Sequence, residues 1–332
     1  MRAAILNKVH EPLAVTDLPD PIAAPGGVVI RIRAAALNHR DAWIRKAMYA
    51  RIRLPCVLGS DGAGEVESVG VGVDPAWIGR RVVLHPSRHW GNDPRVQGKE
   101  FVILGMPDQG TLAERIAVPL SGIEPLPAHL SFREGAAFSL AALTAYRALV
   151  TCGQVQPGQH VLITGIGGGV ASLALTFAKA LGAIISVTSS SAEKLAAAKA
   201  LGASFGVSYS QPGWDKELVK QAGSAPSLSV DGAGGDGLNG LVGAVAPGGR
   251  IVMYGAHRGP PNQLDLPRIF FKQVELRGTT MGSEEEFRAM LALVAAHELK
   301  PVVDRAFALE AAEEAMTWMD QSGQMGKIVV DT

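Results

Sequence analysis

Cysteine is scarce in this chain: 332 residues carry two, Cys56 and Cys152. Neither stands in a C-x-x-C pair, which excludes a disulfide framework and zinc-knuckle spacing. Net charge is absent too. Lys+Arg and Asp+Glu each number 31, so no excess of either sign points to nucleic acid or an anionic membrane as partner. No uninterrupted apolar run reaches about 18 residues, so no membrane-spanning helix is expected. The opening MRAAILNKVHEP holds too short an apolar run for a signal peptide, and a cytosolic enzyme is the expectation. His85 and His89 are four apart, but Pro86 works against a shared helix face, and they read as two loop histidines rather than a metal pair. Against these absences stand 47% apolar and 19% charged residues, a composition that builds a large core. At about 150 residues per domain, the length gives two domains.

Residues 1–120 read as β-rich. VVIRIRAAAL (28–37) alternates apolar and charged side chains in its first half, as a half-buried strand does. GAGEVESVGVGV (62–73) and GRRVVLHP (79–86) are further short strands with glycine punctuation, a spacing that suits a small barrel or sandwich. A long polar loop, 87–110, follows. The character then changes. Ser131 to Glu134 has the form of a capping box that starts a helix, and a second helix is expected at 140–150. Strands are expected at 160–164, 184–188, 227–231, 250–254 and 274–278. Helices are expected between them at 170–181, 192–201, 214–222 and 238–245. Such alternation predicts an α/β fold: a doubly wound parallel sheet with helices on both faces.

The first of those strands runs into TGIGGGVA (164–171). Glycines permit a tight turn and close approach of backbone to a pyrophosphate. The helix that follows offers free N–H groups to that anion. Gly165, Gly167, Gly168, Gly169 and Val170 are therefore candidate cofactor contacts. An acid about 20 residues further on would grip the ribose 2′-hydroxyl of NAD. The segment here is VTSSSAEK (187–194), with hydroxyls and a lysine in its place. Hydroxyls donate to phosphate oxygens and Lys194 adds a charge-assisted bond, so Ser189, Ser190 and Lys194 read as a 2′-phosphate pocket and the cofactor as NADP(H). In the competing reading Lys194 is a solvated helix lysine and the serines cap the helix, which Ser191 can do in either case.

Five segments, in their order and spacing, carry a family resemblance: LNHRDAW (37–43), PCVLGSDGAGEVESVG (55–70), LTAYRAL (143–149), VLITGIGGGVASLALTFAKALGA (161–183) and GRIVMYG (249–255). The chain resembles the medium-chain dehydrogenase/reductase superfamily, and within it the zinc-free, quinone oxidoreductase-like branch. The resemblance implies a GroES-like β-rich catalytic domain (1–120, rejoined by 285–332) and a Rossmann NADP-binding domain (121–284), with nicotinamide and substrate held in a cleft between them. Zinc-dependent relatives place metal ligands at positions that match Asn38, Ser60 and a site near Leu140. Asn, Ser and Leu do not replace thiolate and imidazole around zinc, so no zinc is expected.

With no Lewis acid to polarise a carbonyl, hydride transfer to a quinone or conjugated enone is the fitting chemistry, because the resulting oxyanion is stabilised by delocalisation. The resemblance further assigns Asn38, Asp41 and Thr144 to the nicotinamide end of the cofactor. It assigns Ser190, Lys194 and Tyr209 to the 2′-phosphate, and Tyr254, Gly255 and Ala256 to the flank of the nicotinamide. Lys327 of the returning C-terminal segment is a further cofactor candidate, or an ordinary surface lysine. Tyr49, His39, Arg40, His89 and Trp90 are candidates for the substrate, with Tyr49, His39 and Asn38 as the groups that could donate to its oxygen. Strand 274–278 is expected at the sheet edge, where related proteins form a homodimer. Two alternatives stay open: a zinc-dependent alcohol dehydrogenase with displaced ligands, and a nucleotide-binding protein without turnover.

Overall fold

Alternation in the first half of VVIRIRAAAL produces the strand Gly27–Ala36: Val28, Val29, Ile30 and Ile32 are buried while Arg31 and Arg33 face outward. Each buried Ile or Val side chain contributes roughly 1.5–3 kcal/mol. The outward arginines pair across to the next strand, Arg31 with Glu67 and Arg33 with Glu65. In the computed structural model, which describes residues 1–332, this strand is the hub of a seven-stranded sheet. It pairs antiparallel with Asp61–Val69, with Arg115–Pro119 and with the C-terminal strand Lys327–Asp331. Arg81–Leu84 and Ile123–Pro125 extend the sheet on one side, and Val303–Ala308 closes it on the other. A smaller sheet of Ala14–Asp17, Arg2–Leu6 and Cys56–Val57 completes the unit. Their shared core includes Leu6, Ile30, Ile32, Ile44, Leu58 and Leu84.

Register decides what meets at one end of this sheet. Ala36 is paired with Asp61 on one side and with Val329 on the other. Carried two residues further, the second ladder sets Lys327 beside Asn38. The loop 87–110 is not loose surface. It carries a short strand pair, Ser87–Arg88 with Val102–Ile103, and it packs tightly on Gly59: a Cβ on Gly110 would lie 2.3 Å from the carbonyl oxygens of Leu58 and Gly59.

The second unit is a six-stranded, all-parallel sheet. Its strands lie in the order Phe205–Ser208, Ile184–Ser189, His160–Ile163, Leu228–Asp231, Arg250–Met253, Glu275–Gly278. The chain reverses its winding beside His160–Ile163, which in such folds marks the ligand end of the sheet. Helix Gly169–Ala180 buries Ala171, Ser172, Leu173, Ala174, Leu175, Phe177 and Ala178, more than one face, as a helix packed into the core does. Strand Glu275–Gly278 is the sheet edge, as expected.

Three expectations are corrected. The two helices expected around residue 140 are one, Phe132–Tyr146, continued by a π-turn, Arg147–Cys152. The Ala- and Leu-rich sequence has no proline to break it. This run is long and apolar enough to cross a membrane, but it is mostly buried within the protein, as a core helix is. The units comprise Met1–Ala141 with Gly282–Thr332, and Ala142–Met281, so the first boundary falls after residue 141 rather than 120, and the second after 281 rather than 284. Strands Arg115–Pro119 and Ile123–Pro125 pair into the first sheet, which carries that stretch with it. Finally, strand Phe205–Ser208 and helix Leu266–Lys272 were not expected.

Candidate active site and nucleotide site

In the β-rich unit, the Asp61 carboxylate is wholly buried and its oxygens are all engaged. Oδ1 accepts the Leu140 backbone N–H at 2.8 Å. Oδ2 accepts the Asn38 amide at 2.9 Å and the Lys327 ammonium at 2.8 Å. Lys327 is 3% exposed. Its other two donors reach Leu37 O and Asn38 Oδ1, both at 2.7 Å. An ammonium has three N–H donors, so all are spent. This removes Lys327 from phosphate binding and corrects its assignment as a cofactor contact. Because an ammonium only donates, the Asn38 oxygen must face it and the Asn38 NH₂ must face Asp61. One N–H of that NH₂ goes to Asp61; no protein acceptor takes the other.

Asn38 and Leu140 N meet at Asp61, the neighbour of the expected ligand position Ser60, which itself bonds elsewhere, and the donor set does not fit zinc. The acceptors that a divalent ion would use are occupied by an ammonium. Ser60 donates to Leu104 O at 2.8 Å and accepts from Arg40 at 3.0 Å. No group of three His, Cys, Asp or Glu side chains could hold a metal ion. Tetrahedral zinc needs thiolate, imidazole or carboxylate ligands, and an amide, a serine and a leucine do not supply them.

The surrounding candidates divide. Asp41 is buried, with its oxygens on the N–H groups of Asn38, 2.8 Å, and Gly59, 3.2 Å. Burial raises its pKa despite Arg40 nearby. Its carboxylate shapes the loop that presents Asn38. Arg40 bonds Ser60, Leu104 O and Met106 O, clamping the long loop over Ser60, while its buried Nε has no partner. Tyr49 lies half-buried under Arg40, 5.1 Å from ring centre to guanidinium carbon. His39 is half-buried beside Trp43. Trp90 is a core residue of its loop, its indole N–H on Asp93 O at 3.1 Å, and is removed from the substrate candidates. His85 is buried against Phe287, 4.5 Å between ring centres, and desolvation pushes its pKa down to about 4. His89 is exposed, so the two histidines do not act as a pair. Burial pushes the Cys56 thiol up to about 12, which makes it an inert core residue.

In the α/β unit, the turn has the backbone its glycines allow. Gly165 and Gly167 take φ of +61° and +135°, values that favour glycine. Space above Gly165 and Gly168 is open, while a Cβ on Gly167 would meet the Lys194 side chain at 2.7 Å. Gly169 and Val170 open the helix, where the first N–H groups lack intrahelical partners. Thr188 ties the turn to the second strand through Ile166 N and Gly165 N. Ser189 is buried, its hydroxyl accepting from Ser191 N at 3.2 Å. It shapes the turn and leaves the pocket to its neighbour, a correction to its expected role. Ser191 caps the next helix through Lys194 N. Exposed Ser190 accepts a hydrogen bond from the Tyr209 hydroxyl at 3.1 Å, which brings two of the expected phosphate residues together. Tyr254, before Gly255 and Ala256, packs its ring on Gly232, and burial raises its pKa. Thr144 is buried in helix Phe132–Tyr146. Sequence reasoning missed Asp61 as the hub, Lys327 as its counter-ion, and Arg258, whose guanidinium lies over Tyr209. A lone charged residue, at a strand end like Asp61 and Lys327 or in a loop like Arg258, gives no local signal of such contacts.

Comparison with known proteins shows that the chain belongs to the medium-chain dehydrogenase/reductase superfamily. Residues 24–128 match the alcohol dehydrogenase GroES-like domain and residues 169–296 the zinc-binding dehydrogenase family. A Leptosphaeria maculans protein named zinc-type alcohol dehydrogenase-like protein YogA is 38% identical, over 98% of this chain and 96% of its own. A crystal structure titled NAD-dependent alcohol dehydrogenase superposes with a TM-score of 0.95 at 37% identity, covering 100% of both chains. A quinone oxidoreductase from Pseudomonas syringae pv. Tomato DC3000 superposes with a TM-score of 0.84 at 30% identity, covering 100% of this chain and 99% of its own.

Removing one partner of a buried ion pair strands the other. Lys327→Met is expected to cost about 3–5 kcal/mol of stability. Lys327→Met with Asp61→Asn should recover much of that loss in denaturant titrations. Equal stability of the single and double variants would mean that the pair is not coupled.

Proposed function

Because the chain belongs to the medium-chain dehydrogenase/reductase superfamily, we propose that it is an NADPH-dependent reductase of quinones or α,β-unsaturated carbonyls, working without zinc. The observation that carries this reading is the amide of Asn38. Lys327 and Asp61 fix its orientation and leave one N–H to donate. Such a donor, held rigidly in a buried polar network, suits an oxygen that gains negative charge as the reaction proceeds. The adjacent ammonium withdraws density from the amide oxygen and strengthens the donor. A bound reduced nicotinamide supplies the hydride. The β-rich unit supplies the orienting amide and excludes water by packing the loop 87–110 over Ser60.

Hydroxyls and a lysine in place of an acid favour NADP(H) over NAD(H). Ser190 and Tyr209 already touch, and Lys194 lies over Gly167. A similar structure is that of an NAD-dependent alcohol dehydrogenase, and the support for NADP(H) comes from the side chains at these positions. An aspartate there would repel a 2′-phosphate; these groups donate to it.

Two experiments test this. With NADPH and a panel of quinones and enones, Asn38→Ala should lower kcat by about 10²-fold with little change in the Kd for NADPH. A wild-type protein that binds NADPH and reduces none of the panel would contradict the assignment and favour a role without turnover. In the same assay, Lys194→Ala combined with Ser190→Asp should reverse the preference from NADPH to NADH. Unchanged selectivity would place the 2′-phosphate elsewhere.

A further inference from the structure

Arg258 lies in the loop that follows strand Arg250–Met253. Its guanidinium carbon sits 5.3 Å from the centre of the Tyr209 ring, within cation–π range. Apart from that ring it has no side-chain partner: no carboxylate pairs with it and no carbonyl accepts from it. Five N–H donors on a fixed planar group are thus unspent. Most arginines of this unit behave differently. Arg250 bonds Glu275 and the Cys152 and Gly153 carbonyls, and Arg277 bonds the Cys152 carbonyl.

The loop that carries Arg258 is held in place. Arg258 N donates to Ala233 O at 2.8 Å, His257 N to Gly232 O at 3.3 Å, and Gly235 N to Gly259 O at 2.8 Å. A Cβ on Gly235 would meet the Cβ of Arg258 at 3.0 Å, so the two loops are in close contact. The Asp231 carboxylate holds the other loop through Ala233 N and Gly234 N. The cation is therefore presented by a rigid backbone. It rests on the ring whose hydroxyl bonds Ser190.

Resting on the NADP(H) reading given above, we infer that Arg258 is a specificity-determining residue that contacts the 2′-phosphate of the cofactor from the side opposite Lys194. Tyr209 joins Arg258 and Ser190: its hydroxyl bonds Ser190, and its ring face holds the guanidinium. Arginine suits this place because its planar fork gives two parallel bonds to a phosphate, which a lysine cannot.

The test uses two probes in isothermal titration with the whole protein: adenosine 2′,5′-bisphosphate and adenosine 5′-monophosphate. Wild type should bind the bisphosphate more tightly; if it does not, the NADP(H) reading itself fails. Arg258→Ala should weaken the bisphosphate by about 10- to 100-fold, the range for a charge-assisted contact, and leave the monophosphate unchanged. Lys194→Ala serves as the control. If Lys194→Ala weakens the bisphosphate and Arg258→Ala does not, the NADP(H) reading stands and the role of Arg258 falls. If Arg258→Ala weakens both probes equally, Arg258 acts on the adenine or ribose and the phosphate assignment is overturned. Arg258→Lys should retain only part of the discrimination. Full retention would contradict a bidentate contact.

Discussion

A buried ammonium bonded to a buried carboxylate organises the catalytic half of this protein. Lys327 and Asp61 are 3% and 0% exposed at the side chain and 2.8 Å apart. Two charges taken out of water are tolerable only when every remaining donor and acceptor is satisfied. Here that condition is met by Leu37, Asn38 and Leu140. Their positions follow from the sheet register, which sets strand 327–331 and strand 61–69 on opposite sides of strand 27–36. The cluster ties the returning C-terminal strand to the N-terminal sheet. It also fixes which way an amide points, and that orientation gives the site its chemistry. In zinc-dependent enzymes a divalent ion polarises the substrate oxygen. In this chain the positive charge sits on a side chain, Lys327, bonded to the oxygen of Asn38, and under the proposed function it acts on the substrate oxygen through that amide. A donor of that kind suits an acceptor that is already electron-poor.

The nucleotide half rests on backbone geometry rather than charge. A parallel sheet with its winding reversed beside the first strand leaves an opening at the strand ends. Positive φ values at two glycines shape the turn, and the end of the second strand offers hydroxyls where an acid would select NAD. The proposed selectivity for NADP(H) rests on side chains from three separate segments: the helix that begins after Ser191, the residue after strand Phe205–Ser208, and the loop at Arg258. Each is anchored by backbone bonds of its own.

Much of this was legible in the sequence, where a periodic signal or a motif existed. VVIRIRAAAL declared its strand through alternation, and the β-α alternation after residue 160 declared the doubly wound sheet. The glycine turn followed from its motif, and the contact of Ser190 with Tyr209 joins two residues that the family resemblance had named. What stayed hidden lacked a local signal. FGVS (205–208) neither alternates nor carries a run of β-branched residues. LPRIFFK (266–272) is too short to show a helical period. The helix break expected near residue 140 failed because nothing there breaks a helix. Lys327 was misassigned for a different reason: its partner Asp61 is 266 residues away in the chain, and only the folded register brings them together. Arg40 and Trp90 gave no sequence signal of their packing roles, because residues of their kind serve binding and packing alike, and only the fold shows Arg40 bonded to the long loop and Trp90 buried in it.

The most direct measurement is zinc content and turnover on one sample. Protein dialysed against a strong chelator would be analysed for metal and then assayed with NADPH and a quinone or enone substrate. An ammonium in the cation's place predicts far less than one zinc per chain and undiminished turnover. About one tightly held zinc per chain, with activity lost on its removal and restored on its return, would contradict the account.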